Sequence, residues 1–370
     1  MKLARCSFPV AVMLAFAACV SQTRAEVQIG AAGPLTGTMA WFGEQHERGV
    51  GMAVAELNAA GGVLGQSVEV VAVDDYCDGE QGVAAARKLI AADVMFVAGH
   101  LCSGAAIPAS ELYHEAGVIM ISGSATNPKL TEQGLWNVFR VVNRDSEQAR
   151  LAGDYLAEQW ADAKIAIVHD GTVYGQDLAE ETRRQPHQRG IREAVFAEIV
   201  PGQPDYGETI SQLEAAGTAV LFYGGYTAEA ALIARQSHDR NYDLQLVGGD
   251  NLNGEYFLHV AGPAAAGVRF VSMADPRGNE AAAPIVSRFR AEGYEPEGFT
   301  LYGYAVVQVW AQAVEKTGTF DAEAVVKALR HNEFDTVLGR LSFDDKGDVT
   351  GVDSYIWYVW SDSGYHPIER

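Results

Sequence analysis

The stretch Gly99–Pro128 reads GHLCSGAAIPASELYHEAGVIMISGSATNP. A strand end is followed by a Ser/Gly turn, a helix, a second apolar strand over Val118–Ser122, and a second turn of small hydroxyl residues. Strand, helix and strand in one short span predict parallel pairing, because a parallel neighbour needs a crossover element. Ser103 and Gly104 lie in the first turn, and Ser124, Ala125 and Thr126 in the second. A turn between a strand's carboxyl end and a helix start has unpaired N–H donors and a partial positive charge, which suits an anion. Two such turns side by side suit one carboxylate.

The same alternation extends in both directions. Val27–Gly30, Val68–Val73 and Met95–Ala98 read as buried strands, separated by helices over Glu44–Ala59 and Gln81–Ala92. Asn127–Arg144 is less regular, and Asn143-Arg144-Asp145 reads as a crossover. The pattern then restarts with a helix over Glu147–Trp160 and a strand over Lys164–His169. A helix follows over Tyr174–Arg189, its last turns disturbed by Pro186. Further strands fall at Val195–Val200, Ala219–Tyr223, Gln245–Val247 and Val268–Ser272. Three helical patterns (Glu280–Glu292, Leu301–Lys316, Ala322–His331) and two alternating antiparallel strands (Gly339–Phe343, Ser354–Trp360) close the chain. The expected fold is α/β: two doubly wound parallel-sheet lobes, some of the late helices returning to the first. Residues 26–143 with about 275–342 form lobe one, and 144–274 with about 343–370 form lobe two. Crossings near Asn143, Ala274 and Phe343 make a three-strand hinge, which permits opening and closing.

The chain has 370 residues and a formal net charge of −21. That charge speaks against nucleic acid as a partner, since phosphate contact needs clustered Lys and Arg. Lys2 and Arg5, the apolar run Phe8–Val20 and the small residues of Thr23-Arg24-Ala25 read as an export signal cleaved before Glu26. Lipoprotein processing at Cys19 is a second reading, opposed by Phe16 at the −3 place. Cleavage would leave Cys77 and Cys102 in an oxidising compartment, where an even count favours a disulfide. A metal pair or a nucleophilic thiol is the alternative, but no second ligand cluster at metal spacing accompanies them.

Other motifs are weaker. Asp344-Asp345-Lys346-Gly347-Asp348 resembles the start of a calcium loop but lacks the glutamate at loop position twelve, so a turn between strands is expected. Gly30–Gly33 lacks the dinucleotide spacing, and no cofactor or metal is expected. Ser103, His100 and Asp74 can be imagined as nucleophile, base and orienter, without support from spacing, and no enzymatic activity is expected. Four strand-end loops are richer than solvation requires: Trp41-Phe42-Gly43, His169–Gly175, Tyr223-Gly224-Gly225-Tyr226 and Gly248-Gly249-Asp250. Ligands of open α/β sheets bind outside the carboxyl ends of the strands, where these loops fall. Packing explains Tyr174 or Tyr226 taken alone, and helix capping explains Asp250.

With these residues assembled, the chain resembles the periplasmic leucine–isoleucine–valine-binding proteins that serve ABC transporters, which have the type I periplasmic-binding fold. The resemblance runs from about Val27 to near the C-terminus. It is densest at GHLCS with PAS (Gly99–Ser110), MIS-x-x-ATNP (Met120–Pro128), IVHD-x-x-x-YG (Ile167–Gly175) and YGGY (Tyr223–Tyr226). It implies that Ser103, Ser124, Ala125 and Thr126 take the α-carboxylate of an amino acid. It also implies that Tyr174, Tyr226 and Asp250 close over the ligand, Asp250 taking the ammonium. Phe42, Leu101, the Cys77–Cys102 bridge and Phe299 would form the apolar wall. The family usually has glutamate where this chain has Asp250; the shorter acid implies a bridging water, a shifted ligand or an amino group not at the α position. The implied protein is a periplasmic monomer that delivers a branched-chain or other apolar amino acid to a membrane permease. A sensory receptor for an amino acid or amide, or a carrier of a non-α amino acid, is the alternative.

Overall fold

The computed structural model describes residues 26–368. The leader, its cleavage site and Cys19 lie outside the described residues. Lobe one begins with β1 (Glu26–Gly33), α1 (Ala40–Ala59), β2 (Ser67–Asp74), α2 (Gly79–Ala91), β3 (Phe96–Ala98), α3 (Ser103–Ala116), β4 (Ile119–Ser122), α4 (Lys129–Glu132) and β5 (Val138–Arg140). Lobe two follows with α5 (Asp145–Gln159), β6 (Ile165–His169), α6 (Val173–Thr182), α7 (Arg184–Gln188) and β7 (Val195–Glu198). It continues through α8 (Gly207–Ala216), β8 (Val220–Gly224), α9 (Thr227–Asp239), β9 (Gln245–Gly248), α10 (Glu255–Ala261) and β10 (Arg269–Met273). The chain then runs through α11 (Ala283–Ala291), α12 (Thr300–Thr317), α13 (Ala322–His331), β11 (Phe334–Thr336), β12 (Gly339–Phe343) and β13 (Val349–Thr350). It ends with β14 (Tyr355–Ser361) and β15 (Gly364–Ile368).

The central strands β3, β4, β6 and β8 are buried at every position. Such runs need cover on both faces, which the crossover helices supply. The first sheet has the order β2-β1-β3-β4-β5, all parallel. The second runs β15-β14-β10-β9-β8-β6-β7, and its parallel part, β7-β6-β8-β9-β10, repeats that order. Strand order therefore reverses beside β1 in one lobe and beside β6 in the other. These switch points open crevices at the strands' carboxyl ends.

The late helices belong to lobe one. α12 is buried around most of its circumference, and its Trp310 stacks on Phe96 of β3 with ring centroids 5.3 Å apart. Arg48 of α1 lies over the Tyr294 ring beyond α11, 4.3 Å from its centroid. Strands β11, β12 and β13 form a small antiparallel sheet. The turn joining its last two strands docks on β5, where Arg140 N–H donates to the Gly347 carbonyl at 3.0 Å. The last passage between lobes therefore falls at 351–354, beyond the expected Phe343, because the Gly347-Asp348 turn is held on lobe one. Within that turn the Asp344 carboxylate accepts the N–H groups of Lys346 and Asp348, each at 2.9 Å.

Two further expectations are corrected. The helix expected over Tyr174–Arg189 breaks at Arg183 into α6 and α7, since Pro186 has no N–H to donate to the Thr182 carbonyl. Trp41 and Phe42, expected in a loop, lie in the first turn of α1.

α1 and α12 meet backbone to backbone at Gly49, where a β-carbon would stand 2.0 Å from the Thr300 carbonyl oxygen. Gly49→Ala is expected to destabilise the protein by about 3 kcal/mol, the upper end for overpacking. Urea unfolding measures it, and an unchanged midpoint would show that the two helices separate freely.

Candidate ligand-binding site

The first-lobe side of the cleft is built on two strand ends. Cys102 precedes α3 and is bonded to Cys77, with Cα atoms 5.2 Å apart. The bridge closes a loop between residues 25 apart in sequence, which is worth about 2–4 kcal/mol and ties the start of α3 to the loop after β2. Ser103 opens α3 and is buried. Ser122, at the end of β4, organises the second turn. Its hydroxyl donates to the His100 carbonyl at 2.7 Å and accepts the N–H groups of Ala125 (2.9 Å) and Ser124 (3.3 Å). Asn127 N–H donates to Ser103 Oγ at 3.3 Å, joining the two turns.

The second turn opens no long helix, in keeping with the irregular pattern of Asn127–Arg144; the four-residue α4 starts only at Lys129. Its geometry comes from behind. The guanidinium of Arg140, fully buried, donates to the carbonyls of Ala125 (3.0 Å) and Asn127 (2.9 Å) and pairs with Asp348 at 2.7 Å. A trans peptide points its C=O and N–H in opposite directions. Holding the Ala125 carbonyl against Arg140 therefore turns the Thr126 N–H away from it. With Ser124 and Ala125 N–H groups spent on Ser122, the donors left on this turn are that N–H and the hydroxyl of Ser124, the Thr126 hydroxyl lying beside Asp145.

The second-lobe side is built at the other switch point. Asp170, after β6, accepts Thr172 N–H (3.0 Å), the Thr172 hydroxyl (2.6 Å) and Tyr226 N–H (3.1 Å). It thereby joins the loops after β6 and β8. The loops meet so closely that a β-carbon on Gly175 would stand 2.2 Å from Asp170 Oδ1, which accounts for the glycine of the YG pair. Tyr174 and Tyr226 are left with ring centroids 5.2 Å apart. The Tyr174 hydroxyl donates to Asp250 Oδ1 at 2.9 Å. The Tyr355 hydroxyl lies 3.3 Å from Asp250 Oδ2 and 3.1 Å from the Asn143 carbonyl, so it joins the acid to two crossings.

Phe42 meets Phe299 edge to face at 5.2 Å, and Leu101 packs against Gly33 of β1. All ten residues expected in the site are buried, and the cleft is closed around them. Asn127 Nδ2 donates across it to Asp177 (2.9 Å) and to the Val173 carbonyl (3.2 Å), and Lys129 pairs with Asp177 at 2.8 Å. On the other flank Trp41 stacks on Tyr256 at 5.0 Å. The imagined nucleophile set is not assembled. His100 is buried with Nδ1 2.6 Å from Asp75 and Nε2 3.0 Å from Tyr113, while Asp74 accepts from Leu35 N–H and the Thr36 hydroxyl.

A family model described as periplasmic binding protein matches residues 26–364. The chain belongs to the periplasmic binding protein family. Over 349 residues this periplasmic binding protein is 42% identical to the Leu/Ile/Val-binding protein homolog 1 of Brucella melitensis, covering 94% of each chain. It superimposes on the branched-chain amino acid transporter substrate-binding protein of Streptococcus pneumoniae, solved with isoleucine, with a TM-score of 0.82. Identity there is 25%, covering 93% of this chain and 99% of that one. A leucine-binding protein of Thermotoga maritima gives 0.84 at 23% identity, covering 93% and 98%, and bears on the fold alone.

Burial dominates the electrostatics of this periplasmic binding protein's cleft. Loss of solvation pushes the Asp250 carboxyl up to about 6, against the pull of the Tyr174, Gln148 and Tyr355 side chains. Asp145 is pushed up to about 8, first by burial and then by the charge of Asp250. Sequence reading held Asp170 only as part of the His169–Gly175 loop and Asp145 only as part of the crossover motif Asn143-Arg144-Asp145; it missed Gln148, Tyr355 and Arg140, whose partners lie far along the chain.

The sign of the pH effect follows. Both acids hold protons in the folded state that the unfolded chain has released. Their contribution is fully present below about pH 4 and is lost as pH rises through about 6 and 8. The ligand-free protein is expected to lose stability between pH 5 and 8, and Asp250→Asn to flatten that slope. Denaturation midpoints across the range measure it; equal slopes in both proteins would remove Asp250 from the effect.

Proposed function

We propose that this protein captures a small zwitterionic amino acid between its lobes and presents the closed complex to an ABC permease. The observation that carries the reading is the buried Asp250 carboxylate. Two tyrosine hydroxyls hold it, and the crevice of lobe one faces it with hydroxyl and N–H donors. An ammonium at one end and a carboxylate at the other answer both. In this reading Ser103, Ser124 and Thr126 take the carboxylate, while Ala125, its N–H held by Ser122 and its carbonyl by Arg140, shapes the turn; Asp250 takes the ammonium, and Tyr174 and Tyr226 cover the ligand on closure. Phe42, Leu101 and Phe299, beside the Cys77–Cys102 bridge, receive the side chain.

The relatives support the substrate class: the Brucella protein is named for leucine, isoleucine and valine, and the Streptococcus protein is a branched-chain amino acid carrier. A side chain in an apolar wall gains about 0.8 kcal/mol per buried methylene, which ranks neighbouring ligands without excluding them. Closure makes the liganded shape distinct, so the permease reads occupancy from shape. The reading includes an exported monomer, its leader removed near Ala25, its lobes spanning 26–143 with 275–350 and 144–274 with 355–368, and no catalytic step.

A thermal-shift screen of the twenty standard amino acids with γ-aminobutyrate, after removal of co-purified ligand, is expected to give its largest shifts with apolar α-amino acids. No shift with any of them would overturn the reading. Asp250→Asn removes a charge-assisted bond worth about 1.5–3 kcal/mol, so affinity by calorimetry is expected to fall about ten- to hundred-fold. Retained affinity would place the ammonium elsewhere.

A further inference from the structure

The cleft holds a second buried acid that the reading above leaves without a part. Asp145 stands at the first crossing, opens α5 and is 1% exposed. Its Oδ1 accepts from Gln148 Nε2 at 2.6 Å; its Oδ2 is buried with no hydrogen bond of ordinary length, and the nearby Thr126 hydroxyl only partly offsets the cost of burial. Its backbone N–H donates to the Thr126 carbonyl at 3.0 Å, which places it against the carboxylate-binding turn. Gln148 also reaches the other acid, since Asp250 N–H donates to its Oε1 at 3.2 Å. One amide side chain therefore spans the two aspartates.

The cations nearby are committed. Arg140 pairs with Asp348, donates to the second turn and to the Thr131 hydroxyl, and attracts Asp145 by less than burial opposes its charge; Arg144 pairs with Glu132 and lies 3.6 Å from Asp348. The remaining titratable groups that feel Asp145 are Asp250 and the hydroxyls of Tyr174, Tyr226 and Tyr355. Burial pushes each of those tyrosines well above its usual value, so none supplies a charge. Two buried carboxyls thus lie at one cleft, and among the described residues no positive group is left to balance both. An unpaired buried charge is costly, and a carboxyl so placed keeps a proton until a cation arrives.

We propose that Asp145 and Asp250 together form a two-carboxylate subsite for the ligand's cationic amino group, so that the first crossing as well as the far lobe reads the ligand. The inference rests on the amino-acid reading above and adds a residue to it. The subsite spans the hinge: Asp145 lies at the first crossing, Asp250 after β9, and Tyr355 at the third crossing. An ammonium drawn between the acids stabilises their ionised forms, so binding expels the proton that the pair still holds. Affinity then rises with pH until the free pair is fully ionised.

The test is calorimetric titration of the full mature chain with L-valine, L-leucine, L-alanine and γ-aminobutyrate. Each is run at pH 6 and pH 8 in two buffers of different ionisation heat. For the wild type we expect buffer-dependent heats that report proton release, and tighter binding at pH 8 than at pH 6. Asp145→Asn, which keeps the shape and the Gln148 contact, is expected to bind at least ten-fold more weakly and to lose most of the release. Wild-type binding with no proton release overturns the subsite without recourse to any variant. So does a folded Asp145→Asn protein with unchanged affinity and release. Failure of the wild type to bind any of the four overturns the amino-acid reading itself, and the subsite with it.

Discussion

The cleft depends on a guanidinium that no ligand touches. Arg140 ends β5 with its side chain fully enclosed, and burial pulls its pKa below the usual arginine value against the attraction of Asp348. A buried ion pair of this kind is weak evidence for net stability, because desolvation offsets much of the attraction. Its consequence here is geometric. By taking the carbonyls of Ala125 and Asn127, Arg140 sets the peptide planes of the second turn and so the direction of the Thr126 N–H. By pairing with Asp348 it also holds the β12–β13 turn on lobe one and decides where the chain makes its last crossing.

The two lobes repeat one strand order and divide the chemistry between them. Lobe one offers donors: hydroxyls, N–H groups and the start of α3. Lobe two offers an acceptor, Asp250, with tyrosine hydroxyls aimed at it. On the reading proposed above neither half suffices for a zwitterion, so the free energy of binding becomes available only on closure. The flanks are bridged by Asn127 and Lys129 with Asp177 and by Trp41 with Tyr256. The exposed Lys129–Asp177 pair is of modest strength, whereas the Asn127 bond is part-buried.

Residues that share a motif were legible in advance; residues that share only a cavity were not. GHLCS and MIS-x-x-ATNP carry Ser103 and the second turn, and YG with YGGY carries Tyr174 and Tyr226, because glycine or hydroxyl spacing marks each loop. Asp250 was visible through its place after a strand. Asp145 reads as part of a crossover, Gln148 as a polar position on a helix and Tyr355 as a strand residue. Nothing local marks the last two, since Gln148 and Tyr355 meet Asp250 from 102 and 105 residues away along the chain.

The chain by itself determined the alternation of buried strands and covering helices, and hence two parallel-sheet lobes, because periodicity is a local property that burial on both faces imposes residue by residue. It also determined the loops that face the crevice, because close backbone approach demands glycine wherever it occurs. Only the tertiary structure decided which carbonyls Arg140 holds, which N–H groups of the second turn remain free, where the third crossing falls and that two aspartates share one buried end of the cleft. Each of these follows from charges and peptide planes brought together across sheets, and their energies depend on burial that no single stretch of sequence contains.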